Sequence, residues 1–161
     1  MDPRVAPLAE ILRLNAQLFR NCLEGLNDEQ GRQQPSDSCN SATYVAAHLV
    51  ESRHYLLKTL GAERANPLER YTGSWKSITE ISEWPTLKQI DRAWSEVNDA
   101  LTDRLARVTL KELDGSLTTQ LPLESKTMLG MLTFLVQHDS YHIGQLSLLR
   151  KYAGLPAMQY S

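Results

Sequence analysis

The sequence predicts an all-α fold, a four-helix bundle with long crossover connections. Three observations lead there. Four segments repeat apolar residues at intervals of three and four, the period of a helix that buries one stripe. No segment alternates apolar and polar residues as a half-buried strand would. The segments are separated by stretches carrying Gly, Pro and polar residues, and one of these is too long for a simple antiparallel turn, which predicts a topology other than up-down-up-down.

The first helix is expected over Pro7–Leu26, with Leu8, Ile11, Leu12, Leu18, Phe19, Cys22 and Leu26 forming its stripe and Asn15 interrupting it. Asn27–Cys39, rich in Gln, Asp, Ser and Gly around Pro35, reads as a loop. A second helix starts at Ser41 as N-cap and runs to Leu60, with Gly61 ending it. It carries an apolar stripe (Val45, Leu49, Leu56, Leu60) and, beside it, a more polar one of Tyr44, His48, Glu51 and Tyr55. Residues 61–85 form a crossover or a lid, with Trp75 and Trp84 as lid or packing residues. The third helix opens at Thr86, whose pairing with Gln89 matches a capping box, and its stripe runs from Leu87 through Trp94, a core residue, to Val108. Residues 109–124 form a second connection with room for a small hairpin. The fourth helix runs from near Ser125 to Ala153, stopped by Gly154-Leu155-Pro156. Its stripe is read as Met128, Met131, Leu132, Leu135, His138, His142, Leu146 and Leu149, which places both histidines in the bundle interior.

The chain has 161 residues, 42% of them hydrophobic, enough for one core, and residues 1–161 are expected to form a single domain. Seventeen Lys and Arg against 19 Asp and Glu give a net charge of −2, which disfavours nucleic-acid binding. No apolar run is long enough to span a membrane. Met1-Asp2-Pro3-Arg4 does not open a secretory signal, and two cysteines do not make a disulfide framework, so a cytoplasmic location is expected.

Four histidines occur, and two of them, His138 and His142, stand four residues apart on a predicted helix. That spacing stacks two imidazoles on one face, one turn apart, where both can converge on one ion. His48, beside the core stripe of the second helix, is the natural third ligand. His54, six residues further and roughly 120° round the helix, points elsewhere. Three neutral imidazoles suit zinc, nickel, copper or iron and leave a coordination position open. A water held there would have its pKa lowered towards ~7, or the ion would bind a thiolate. The alternative is a core histidine pair hydrogen-bonded to Tyr44, Tyr55 or Tyr141 with no metal.

Around the triad, Glu51 is a candidate to orient a ligand or act as general base, or is a solvated helix carboxylate. Gln145 shares the face of His142 and either contacts a ligand or closes the stripe. Tyr44 lines the pocket or packs. Asp139 lies about 100° round the helix from His138, away from the ion. Asn15 faces the site or marks the core boundary, Cys22 is core, and Cys39 is a thiol near a helix start. No glycine-rich phosphate loop is present, and His138-Asp-Ser-Tyr-His142 lacks the glutamate of a zinc-protease helix.

The run Ser41-Ala-Thr-Tyr-Val-Ala-Ala-His48-Leu and the run His138-Asp-Ser-Tyr-His142-Ile-Gly-Gln145-Leu, followed by Leu149-Arg150 and Gly154-Leu155-Pro156, resemble the DinB/YfiT-like superfamily. The resemblance covers almost the whole chain in helix order, length and histidine placement. It implies a four-helix bundle with a long crossover, a homodimer, and a divalent metal, zinc or nickel, held by His48, His138 and His142. It also implies chemistry of the kind found among family members that use low-molecular-weight thiols such as bacillithiol or mycothiol. Ile143 departs from the pattern, standing where relatives often carry a basic residue. Two readings follow. One is a metal-dependent enzyme acting on a small molecule, activating water or a thiol as a hydrolase or S-transferase. The other is a non-catalytic dimeric helical bundle, an interaction or stress-response protein with a structural metal or none.

Overall fold

The computed structural model describes residues 2–73, 76–119 and 122–160. Its four long helices are α1 (Ala6–Leu23), α3 (Ala42–Thr59), α5 (Leu87–Leu105) and α7 (Met128–Tyr152). Three short ones, α2 (Asp28–Arg32), α4 (Glu69–Thr72) and α6 (Leu110–Leu113), and a 3-10 turn at Ile78–Glu80 lie in the connections. Among the described residues the extended structure is one antiparallel bridge, Ser116 to Thr127.

Local chemistry sets the boundaries. Ser41 caps α3 by accepting from the Tyr44 N–H, as expected, and Thr86 and Gln89 close the reciprocal capping box of α5. The first helix stops at Leu23 rather than Leu26, because Gly25 takes φ +79° and turns the chain. The Arg150 guanidinium then donates to the freed carbonyls of Cys22 and Glu24. The segment read as a loop after it contains α2, capped by a second reciprocal pair, Asn27 and Gln30. Gly31 within α2 is buried against α3, where an added Cβ would lie 2.7 Å from Thr43 Oγ1. Helix α5 ends at Leu105, and Val108 is buried beyond it. Helix α7, expected from near Ser125, begins at Met128 with Thr127 as its cap.

Contacts between helices give their directions. Asn15 meets Val136 and Ser140 while Cys22 meets Ile143, so α1 and α7 are parallel. Ala16 accepts from Trp94 Nε1 and Arg20 pairs with Asp91, so α5 is antiparallel to α1. Leu60 accepts from Arg104 at the far ends of α3 and α5, and Gly31 of α2 lies against both Thr43 at the start of α3 and Leu87 at the start of α5; these two helices are parallel. The order is up-down-down-up, with residues 61–86 returning the chain along the bundle. Phe19 and Trp94 stack at 4.1 Å in the core they share with Leu49, Leu57, Ile90, Leu132 and Leu146. Among the described residues no helix is long and apolar enough to cross a membrane.

Candidate metal centre

The two histidines of α7 are half-buried, not interior as the apolar stripe suggested. The most buried face of α7 is one position round, through Leu132, Val136, Asp139, Ile143 and Leu146. Asp139 and Ile143 take the inward positions, and His138 and His142 are turned about 100° from them, to the rim where α7 meets α3. Burial of Ile143 also gives a packing reason for its departure from the family pattern.

His48 of α3 faces this rim. Its Nε2 lies 3.1 Å from His138 Nε2, which lies 3.1 Å from His142 Nε2. The three rings are within 4.3–5.1 Å of one another by centroid and tilted 57–71°, so their edges converge. Two of the three hydroxyls that could satisfy a metal-free pair have other partners. Tyr44 donates to the Lys76 carbonyl at 2.9 Å, and Tyr141 accepts from the Gln145 amide at 3.3 Å.

Electrostatics keep the imidazoles neutral. Burial, reinforced by the neighbouring imidazoles, lowers the pKa of His48 and His138 to about 4, from an ordinary 6.5. Burial also lowers that of His142, against the opposing effects of Gln145 and Asp139. Gln145 Oε1 accepts from His142 Nδ1 at 2.6 Å, which puts the proton on Nδ1 and leaves a lone pair on Nε2. Lone pairs converging at 3.1 Å repel unless a cation or a proton lies among them.

The donor set fits a divalent ion. Two nitrogens each ~2.0–2.1 Å from one ion lie ~3.4 Å apart at a tetrahedral angle and ~2.9 Å apart at a right angle. The observed 3.1 Å falls between these. The cluster is the one group of three or more such ligands among the described residues. Beside it lies a small cavity of about 90 Å³ lined by Tyr44, His48, Glu51, Thr72 and Lys76. A larger groove, about 640 Å³ between α1 and α5, has none of the three histidines in its wall.

The other residues singled out in the sequence sort by position. Glu51 is buried in the cavity wall rather than solvated. The Tyr44 ring lies parallel to His48 with centroids 6.4 Å apart, and burial raises its hydroxyl pKa. Gln145 touches His142 and not the cavity lining. Asn15 is buried and binds Ser140 and Val136 on α7, as a core polar residue does. Cys22 is core, its thiol pushed up by burial to about 11, and Cys39 is an exposed free thiol. Trp94 is core and Trp84 half-buried, while Trp75 lies outside the described residues. His54 faces a separate hollow with Asn66 and Glu69.

Sequence reasoning passed over Arg53. It is buried on α3 and forms an ion pair with Asp139 at 2.8 Å, directly behind the triad. Burial pulls the Arg53 pKa down and pushes that of Asp139 up, and each charge opposes the shift of the other. The signal was there to read. Arg53 interrupts the apolar series Leu49, Leu56, Leu60 as Asp139 interrupts Leu135, Val136, Ile143, so each helix carries one opposite charge on its buried face.

The sequence matches the DinB superfamily over residues 11–146. Two solved structures are similar in fold. A conserved protein from Enterococcus faecalis shares 12% identity at a TM-score of 0.74, the match covering 95% of this chain and 98% of that one. A DinB-like protein from Bacillus cereus shares 20% identity at a TM-score of 0.71, covering 96% of each chain. No curated protein matches the sequence. An all-helical bundle, histidines that meet at one point and a match over most of the length agree: the chain belongs to the DinB superfamily.

Proposed function

We propose that this protein is a metal-dependent enzyme acting on a small molecule, with His48, His138 and His142 as ligands of one divalent ion, zinc or nickel. The observation that carries the reading is the convergence of three neutral imidazoles from two helices, with His138 Nε2 at 3.1 Å from the Nε2 of both His48 and His142 and all three ligand atoms within 4.8 Å of one another. An ion held by three imidazoles keeps a position open, and it supplies Lewis acidity that lowers the pKa of a water or of a low-molecular-weight thiol. Hydrolysis or transfer to a thiol sulfur is the resulting class of reaction.

The chain's own residues supply the rest. Gln145 holds His142 in the tautomer that presents Nε2. Glu51, in the cavity beside His48, is placed to accept a proton from a nucleophile entering there. Tyr44 ties the Lys76 backbone over that cavity and limits its size. The free thiols of Cys22 and Cys39 suit a reducing cytoplasm.

Elemental analysis of untagged protein tests the ligand set. One equivalent of metal is expected in the wild type, and none in His142→Ala with helical circular dichroism retained. Unchanged stoichiometry in the variant overturns the assignment. A screen of thiols with electrophiles and of esters, with and without chelator, tests the chemistry.

The second reading is a non-catalytic dimeric bundle, and one surface feature bears on the dimer. Tyr141, Leu148 and Tyr152 are exposed along one side of α7, at 59%, 67% and 52%. A homodimer would cover that stripe in either reading. Silence in the activity screen from protein that holds its metal decides for the non-catalytic one.

A further inference from the structure

We infer that the buried Arg53–Asp139 ion pair positions the triad, fixing the register of α7 against α3 at which the three Nε2 atoms meet. This rests on the triad being a metal site. Both side chains are buried to within 2% of full burial. Arg53 Nε donates to Asp139 Oδ2 at 2.9 Å, and Nη2 donates to the same oxygen at 2.8 Å and to the Leu12 carbonyl at 3.1 Å. The guanidinium carbon lies 4.0 Å from the centre of the Trp94 ring. One side chain from α3 therefore touches α1, α5 and α7 at the centre of the bundle.

Stability alone does not account for charges in that place. Apolar residues of similar volume commonly replace a buried ion pair with no loss of stability, because desolvation offsets the attraction. What an ion pair adds is direction. Apart from Glu51 and Ser52, the buried residues around it on α3 and α7, among them Leu49, Val50, Leu57, Leu135, Val136 and Ile143, are aliphatic, and aliphatic cores tolerate small shifts of packing. Metal ligands do not, since their distances must hold within about 0.2 Å. Asp139 follows His138 directly in the chain. Its bond to Arg53 ties α3 to α7 at a second polar point besides the imidazole contact itself. A slide or roll of α7 that parts the histidines must first break that link.

The double variant R53M/D139L removes the pair while keeping its bulk. Zinc affinity is read by chelator competition, coordination by the visible spectrum of the cobalt(II) form, and folding by circular dichroism and the thermal midpoint of the metal-free protein. The expected result is a midpoint near that of the wild type, zinc affinity lower by about 10–100-fold, and an altered cobalt spectrum. Val50→Ala, which thins the aliphatic packing and leaves the pair intact, is expected to lower the midpoint without changing affinity or spectrum. Should the double variant not fold, Arg53→Lys keeps the charge, loses the two-point contact, and is expected to weaken zinc binding about tenfold. Wild-type affinity and spectrum in R53M/D139L, or in Arg53→Lys where that variant replaces it, overturn the inference. So does an equal loss of affinity in Val50→Ala. Wild-type protein that binds neither ion overturns the metal reading and this inference with it, which distinguishes the two failures.

Discussion

Partial burial makes the three imidazoles good ligands and makes the metal-free protein sensitive to acid. His48 and His138 titrate at about 4 in the folded chain against 6.5 ordinarily. Between these values the unfolded chain takes up protons that the folded chain refuses, so stability falls as pH drops from about 6.5 towards 4 and is unaffected by these groups above about 7. Thermal unfolding in chelator from pH 7.5 to 4.5 should show that decline, and a variant carrying His48→Ala and His138→Ala should show less of it. A steeper decline in the variant would contradict the neutral state assigned to the rings. Gln145→Ala should leave the helices intact and weaken metal binding by about 10–100-fold, because His142 loses the acceptor that fixes its tautomer. Of these groups, the histidines were legible in the sequence because their spacing on a helix is fixed by geometry. Their half-burial was not. Asp139 and Ile143 compete for the same inward face, and only packing against α3 and α1 decides which neighbours are turned to the rim.

The long helices announce themselves through stripes of apolar residues, and a stripe survives an error of a few residues at either end. Short helices have no such signal, so their capping residues have to be recognised directly. Three of the connections' helical turns are closed by reciprocal pairs: Asn27 with Gln30, Ser77 with Glu80, Thr109 with Glu112. All three follow the pattern that was read correctly at Thr86 and Gln89, and they went unread because no periodic run follows them. The α5 cap allows a direct measurement. Thr86→Ala removes the acceptor for the Gln89 N–H and leaves the core untouched, so it should destabilise the protein by about 1 kcal/mol in urea unfolding, with metal binding unchanged. A loss several times larger would mean that residues 61–86 lean on this cap as well, and that the crossover folds with α5 rather than around it.

At the scale of the molecule, the length of the crossover was readable before its path was. Up-down-down-up order requires residues 61–86 to travel back along a helix of 18 residues, about 27 Å, before α5 can begin beside α3. That path places Thr72 and Lys76 in the wall of the cavity beside His48, so the crossover both makes the topology possible and covers the candidate site. The triad sits on the rim of a core built by Trp94, Phe19 and aliphatic residues from all four long helices, and none of those residues is a ligand. The fold should therefore stand without the ion. Metal-free protein is expected to keep its helical circular dichroism and unfold cooperatively. Metal at a thousand times its dissociation constant should add about 4 kcal/mol, which for a chain of this length raises the midpoint by about 8–16 °C. His138→Ala should abolish that rise while its metal-free midpoint moves far less. Loss of helical signal on chelation would instead make the ion part of the core, turning an open catalytic centre into a structural one.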